Sequence, residues 1–127
     1  MPSLLTHGAD AHRSRIEEVV EAGWTTAGVV VIGDAAHASS PNMAQGAAMA
    51  LEDALILADL LADAGRDVAP ALASFDARRR SRVSWVQQQT HRRDRTRSLP
   101  GVIRNLTLRL AGGRIFESNY GPLHARP

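Results

Sequence analysis

The chain has 127 residues, of which 44% are hydrophobic and 22% charged, with a formal net charge of +2. That is globular composition, with enough apolar mass for one core and no signature of disorder or of a collagen-like repeat. Cysteine is absent, which removes disulfides, thiolate metal sites and cysteine nucleophiles together.

No apolar run approaches the ~18 residues needed to span a bilayer. The opening MPSLLTHGAD lacks the basic-then-apolar profile of a secretory leader. A cytoplasmic protein is the simplest reading. Aromatic residues make up only 4% of the chain, so the core must come mainly from Ala, Leu, Val and Ile. All 15 basic residues are Arg, and eight of them fall between Arg78 and Arg97.

Residues 1–10 carry no periodic pattern and read as a loop. Over 11–22, Ile16, Val19 and Val20 stand at helical spacing beside Arg13, Arg15, Glu17, Glu18 and Glu21. This predicts a short amphipathic helix stopped by Gly23, with Trp24 to Gly28 as a turn. Val29, Val30, Val31 and Ile32 read as a short buried strand, ended by Gly33 and Asp34. A strand's ladder edges need partners, and no second strand pattern occurs. The chain therefore reads as mostly α with one short β-strand, part of a larger structure.

The Ala/Leu-rich run from about Gln45 to Asp63 predicts a long helix. One stripe is Leu51, Leu55 and Ala58; Ala54, Leu57, Leu60 and Leu61 widen it, so the helix is expected to be buried among other elements. Gly65 closes it, and Pro70 suits the first turn of the next helix, where a missing N–H costs nothing. From Pro70 to about Arg97 the stripe Leu72, Phe75, Arg79, Val83, Val86, Thr90 keeps helical spacing. Leu99-Pro100-Gly101 interrupts. Val102 to Leu110 resumes as a shorter helix, and the Gly- and Pro-rich stretch from Ala111 to Pro127 reads as a tail wrapping a surface. The organisation is thus one partial domain over 1–127. It has a lead-in helix and turn at 11–28, a strand, loop and buried helix at 29–64, and C-terminal helices with a tail at 70–127.

The chemistry concentrates between Val29 and Ala62. A carboxylate at a strand end, Asp34, faces a helix start made of small residues, Gly46, Ala47 and Ala48. Free N–H groups and the helix dipole favour negative charge there. Two other readings stay open: Asp34 as a turn or cap residue, and Asn42 with Gln45 as an N-x-x-Q capping box that starts the helix at Met43. His37 reads as structural. Glu52 and Asp53, paired in an apolar helix, are expected to bond backbone or Arg across a helix interface.

GDAAH, then Pro41, then Gln45-Gly46, then Leu51-Glu52-Asp53-Ala54 resembles the second flavin-binding motif of FAD-dependent aromatic monooxygenases, the para-hydroxybenzoate hydroxylase-like family. FDARRRSRV followed by VQQQTHRRDRTR is similar to that family's C-terminal helix, so the likeness runs from Trp24 onward. Ala44 departs from the Gly of many relatives, and Ala48 from a frequent Asn.

The resemblance implies an oxidoreductase family with FAD as cofactor and NAD(P)H as reductant. Its flavin C4a-hydroperoxide hydroxylates a small aromatic substrate. Gly33, Asp34, Pro41, Gln45, Gly46, Ala47 and Ala48 would be the cofactor-binding residues. Asp34 would hold the ribityl chain, the Ala47 and Ala48 amides would face flavin O2, and the Pro41 loop would line the substrate side. No residue is assigned as acid, base or nucleophile.

The family's N-terminal G-x-G-x-x-G unit, which holds the FAD pyrophosphate, has no counterpart in this sequence. The expected fold is the C-terminal portion of an α/β FAD-binding fold without its Rossmann βαβ unit, incomplete alone. A non-catalytic remnant or interaction module of the same family is the alternative. A nucleic-acid-binding helical protein is a further rival, because clustered Arg is a phosphate-binding footprint. Asp76 and Asp94 break up that charge, and Trp85 stands alone, without a stacking series. His7, His12, His37, His91 and His124 show no metal-ligand spacing.

Overall fold

The computed structural model describes residues 14–20, 22–26, 28–97 and 99–124. The loop expected at 1–10, part of the lead-in helix and the last residues of the tail lie outside these.

Thr25–Thr26 (β1) and Val29–Val30 (β2) form a two-stranded antiparallel sheet, with Thr25 opposite Val30 and Thr26 opposite Val29. The expectation of a lone strand is therefore corrected. A Thr-Thr pair is too short to show alternation, yet it closes a hairpin through Gly28, whose φ of 83° glycine adopts without strain. Val31 and Ile32 lie beyond the ladder, although the Val31 N–H still donates to the Trp24 carbonyl at 2.9 Å.

The lead-in helix is also corrected. Residues 14–20 are not helical. Their bonds run to distant partners instead: the Val19 N–H donates to the Ala38 carbonyl at 2.9 Å, and Gln87 Nε2 donates to the Val19 carbonyl at 3.0 Å. His91 meets Glu18 at 2.5 Å. These tertiary bonds tie Val19 and Glu18 to the fold where a short isolated helix would be marginal.

After Gly33 come a four-residue helix, Asp34–His37 (α1), and a 3-10 turn at Pro41–Met43. Two long helices follow, Gly46–Asp63 (α2, 18 residues) and Ala69–Arg97 (α3, 29 residues). Gly65 at φ 62° turns the chain between them, and Asp67 Oδ1 accepts the Ala69 N–H at 3.1 Å as α3 begins. Pro70 occupies the first turn of α3, where its sequence position suits it.

The α3 stripe is buried along its whole length: Leu72, Phe75, Arg79, Val83, Val86 and Thr90 are all inaccessible or nearly so. Phe75, Val83 and Val86 join Trp24, Ala36, Met49 and Ile56 in the hydrophobic core. The α2 helix differs from expectation. It buries Met49, Asp53 and Ile56, while Leu51 and Leu55 are 68% and 67% exposed. Leu51, Leu55 and Ala58 of the stripe read from sequence face away from the core of this chain, while Leu57 and Leu60 pack against it.

The last helix, Gly101–Tyr120 (α4, 20 residues), replaces both the short helix and most of the tail expected after Ala111. It ends in a 3-10 turn at Gly121–His124. Two arginines of α3 tie this end down. Arg93 stacks over the Tyr120 ring at 5.0 Å, and Arg82 donates to the Leu123 carbonyl at 3.1 Å. No helix among the described residues is long and apolar enough to cross a membrane.

Candidate functional site

The corner where β2 ends and α1 begins is set by Gly33. Its φ of 59° and ψ of −140° belong to a region open essentially to glycine. A Cβ at this position would meet Ala50 Cβ at 3.3 Å, so the absence of a side chain also lets the corner close onto α2. Asp34 follows as the first residue of α1, exposed to solvent.

Across from it, α2 starts at Gly46. A Cβ on Gly46 would lie 3.8 Å from Asp34 Oδ1, so the carboxylate and the helix start are neighbours. The capping box that competes with a ligand at this helix start does not form. Ala44 is left-handed, at φ 53°, and Gln45 is the N-cap without a side-chain bond. Asn42 Nδ2 turns to Ser40 Oγ and to Asp94. The first bond of α2 runs from the Met49 N–H to the Gln45 carbonyl at 2.9 Å. The amides of Gly46, Ala47 and Ala48 precede it, as the orphan donors of a helix N-terminus do.

Among the seven residues singled out in the sequence, Gly33, Asp34 and the Gln45–Ala48 turn converge on one corner. Ala47 and Ala48 are exposed. Pro41 opens the 3-10 turn ahead of it and is exposed as well. A concavity of about 630 Å³ is lined by Val102, Asn105, Leu106, Leu108 and Arg109 of α4 and includes none of these.

Beneath the corner lies a buried charge network. Asp53, 1% exposed, accepts the Gly33 N–H at 2.9 Å and His37 Nε2 at 2.7 Å on one oxygen. Its other oxygen accepts Arg79 Nε at 2.7 Å. Burial pushes this carboxyl up. The His37 hydrogen bond, the Gly33 amide, Arg79 and the His37 charge together outweigh that and hold it below the ordinary carboxylate value. An ionised Asp53 is acceptor-only, so the shared proton sits on His37 Nε2. Arg79 also reaches Glu52 at 2.8 Å, and Arg82 grips both Glu52 oxygens at 2.7 and 2.6 Å.

Glu52 and Asp53 thus bond Arg and backbone across a helix interface, as the sequence suggested. The links from Asp53 to Gly33 and His37 were not foreseen. A carboxylate in an apolar helix signals a buried partner, but nothing in the sequence says which one.

A family model described as "FAD binding domain" matches residues 4–90. Over 75 residues the chain is 48% identical to 2-heptyl-3-hydroxy-4(1H)-quinolone synthase of Pseudomonas aeruginosa, covering 59% of this chain and 19% of that protein. It is 45% identical over 75 residues to 3-amino-4-hydroxybenzoate 2-monooxygenase PtmB3 of Streptomyces platensis, covering 59% of this chain and 18% of the relative. With 3-hydroxybenzoate 6-hydroxylase of Klebsiella oxytoca it shares 38% identity over 119 residues, 94% of this chain and 29% of that protein. The matched region is therefore less than a third of each relative's length. No solved structure matches the chain. The FAD-binding match extends over more than half of the sequence and includes the whole corner from Gly33 to Ala48, and the chain belongs to the FAD binding domain family, whose cofactor is FAD.

Proposed function

We propose that this chain forms the flavin-ring side of a FAD-dependent monooxygenase that hydroxylates a small aromatic compound with NAD(P)H as reductant. The observation that carries the reading is the 3.8 Å approach of Asp34 Oδ1 to the Cβ position of Gly46, beside three amides that precede the first bond of α2. A carboxylate acceptor for hydroxyls and a cluster of N–H donors for an electron-rich ring edge are the donor set that FAD requires. The residues present fit the cofactor.

Asp34 accepts from the ribityl hydroxyls. The Gly46, Ala47 and Ala48 amides face O2, and the helix dipole favours negative charge at that edge. Small side chains keep the amides within bonding range of the ring, and Ala48 acts through its amide alone. Pro41 and its turn line the substrate side. When bound, reduced FAD supplies the oxygen-transfer chemistry; these residues hold and orient it. The overall fold corresponds to the C-terminal portion of a para-hydroxybenzoate hydroxylase-like domain. Its pyrophosphate-holding unit is supplied by residues outside this sequence. Named activities of the relatives, on hydroxybenzoate-type rings, support an aromatic substrate.

The Arg-rich helix gives the nucleic-acid reading little support. Arg79 is buried, Arg80 pairs with Asp76, Arg82 with Glu52, and Arg93 donates to the Asn42 carbonyl. These guanidiniums serve the fold and do not form an open phosphate track.

The test is an FAD titration of the 127-residue protein by flavin fluorescence, with Asp34→Ala alongside. Saturable binding that weakens at least tenfold in Asp34→Ala supports the reading. Equal binding by both proteins removes Asp34 from the site, and no binding by either removes autonomous flavin binding.

A further inference from the structure

We propose that Asp53 is the positioning residue of the flavin corner, its buried carboxylate holding the Gly33 amide in the backbone geometry that presents Asp34 to the start of α2. The proposal rests on the flavin reading above.

Asp53 lies seven residues after Gly46, two turns along the same face of α2. Its carboxylate collects three donors, two from the ends of α1 and one from α3: the Gly33 amide at 2.9 Å, His37 Nε2 at 2.7 Å and Arg79 Nε at 2.7 Å. Gly33 and His37 bracket α1, one at its N-cap and the other at its last residue. One side chain therefore anchors both ends of the element that begins with Asp34.

A four-residue helix has no stability of its own. Gly33 is held at φ 59° and ψ −140°, a conformation that persists only where the surroundings over-determine it. Asp53 is the side chain that bonds the Gly33 amide in that conformation. It is 1% exposed, and its bonds run to Gly33, His37 and Arg79. Its effect on flavin runs through Gly33 and Asp34.

Glu52 supplies the control. It sits next to Asp53 on the same helix and joins the same α2–α3 ion network, accepting from Arg79 and Arg82 on α3 and not from the Gly33–His37 corner. Glu52→Gln loosens the helix pair and leaves the corner alone. Asp53→Asn keeps the size but offers one acceptor oxygen and an NH₂ to three incoming donors, so the pattern cannot be reproduced.

The experiment compares the unaltered chain, Asp53→Asn and Glu52→Gln by FAD titration and by the ¹H–¹⁵N resonance of the Gly33 amide. The expected result is a dissociation constant raised at least tenfold in Asp53→Asn and within twofold in Glu52→Gln, with the Gly33 amide proton moving upfield only in Asp53→Asn. Binding that survives Asp53→Asn within twofold, or that falls equally in both variants, overturns the proposal and leaves the flavin reading standing. No saturable binding by the unaltered chain removes autonomous flavin binding, and the Gly33 amide measurements then decide the proposal: a Gly33 resonance that moves as much in Glu52→Gln as in Asp53→Asn overturns it. Should Asp53→Asn not fold, amide exchange in the unaltered chain decides. Gly33 exchanging more slowly than Ala35 supports the anchor, and exchange at least as fast as Ala35 overturns it.

Discussion

Arg79 and Asp53 meet wholly inside the protein, Nε to Oδ1 at 2.7 Å, with neither side chain more than 1% exposed. Taking two ions out of water is costly, and the arrangement holds because both ions make further bonds. Arg79 directs its other nitrogens to Glu52 and to the Met49 carbonyl, and Asp53 directs its second oxygen to Gly33 and His37. Removing one partner leaves the rest of this set buried and short of a charge. Arg79→Met is expected to lower unfolding free energy by about 3 kcal/mol, read from urea denaturation. A loss below ~1 kcal/mol would mean the network contributes no more than a surface pair does.

The acid limb of stability follows from Asp53. Its folded-state value lies below the ordinary one, so the unfolded chain takes up the proton first as pH falls. The stabilisation is fully present above the unfolded carboxylate value of about 3.9 and is lost as pH drops through the lower folded value. His37, Arg79 and Glu52 surround the group. Melting temperature followed from pH 7 to pH 2 should fall below about pH 4 in the unaltered chain. The gap between it and Asp53→Asn should narrow over the same range; a gap that stays constant to pH 2 contradicts the assignment.

Gly33→Ala should destabilise by about 2 kcal/mol, because the new Cβ is both in a glycine-only conformation and pressed on Ala50. Gly28→Ala offers the comparison. Its φ is also positive, at 83°, but its Cβ would meet nothing within 4 Å, so only the backbone strain of about 1 kcal/mol applies. Thermal melts of the two variants should rank in that order, with FAD affinity reduced by the first and not by the second.

Ala44→Gly is expected to stabilise. Ala44 is the one non-glycine residue with positive φ among the described residues, at 53°. Relief of that strain, about 1 kcal/mol, exceeds the added unfolded-state freedom of glycine at about 0.5 kcal/mol. The same melt should rise by one to a few degrees, and a fall would show that the methyl group packs more tightly than its exposed position implies.

Much of the candidate site was legible because it is local. Gly33 and Asp34 end a β-branched run, and Gln45 to Ala48 begin an Ala-rich one; both signals lie within a few residues of the feature they announce. The α3 stripe was equally readable, since a periodicity kept over six positions, Arg79 included, identifies a buried face whatever the partner. Thr25–Thr26 was missed because two residues cannot show alternation, and the non-helical course of 14–20 because its bonds run to Ala38 and Gln87. The choice between a capping box and open amides at α2 turned on a single left-handed residue, Ala44, which spacing alone does not mark.

By itself, then, the sequence determined the family motif, the helix-forming segments and the carboxylate at the strand end, all of which follow from short-range periodicity, turn chemistry and residue type. Only the tertiary structure decided which face of α2 is inside and that Asp53 reaches back twenty residues to Gly33. It also decided that His37 and Arg79 converge on the same carboxylate. A buried charge must find its partners wherever packing brings them, and that matching is a property of the folded core, with no local signature along the chain.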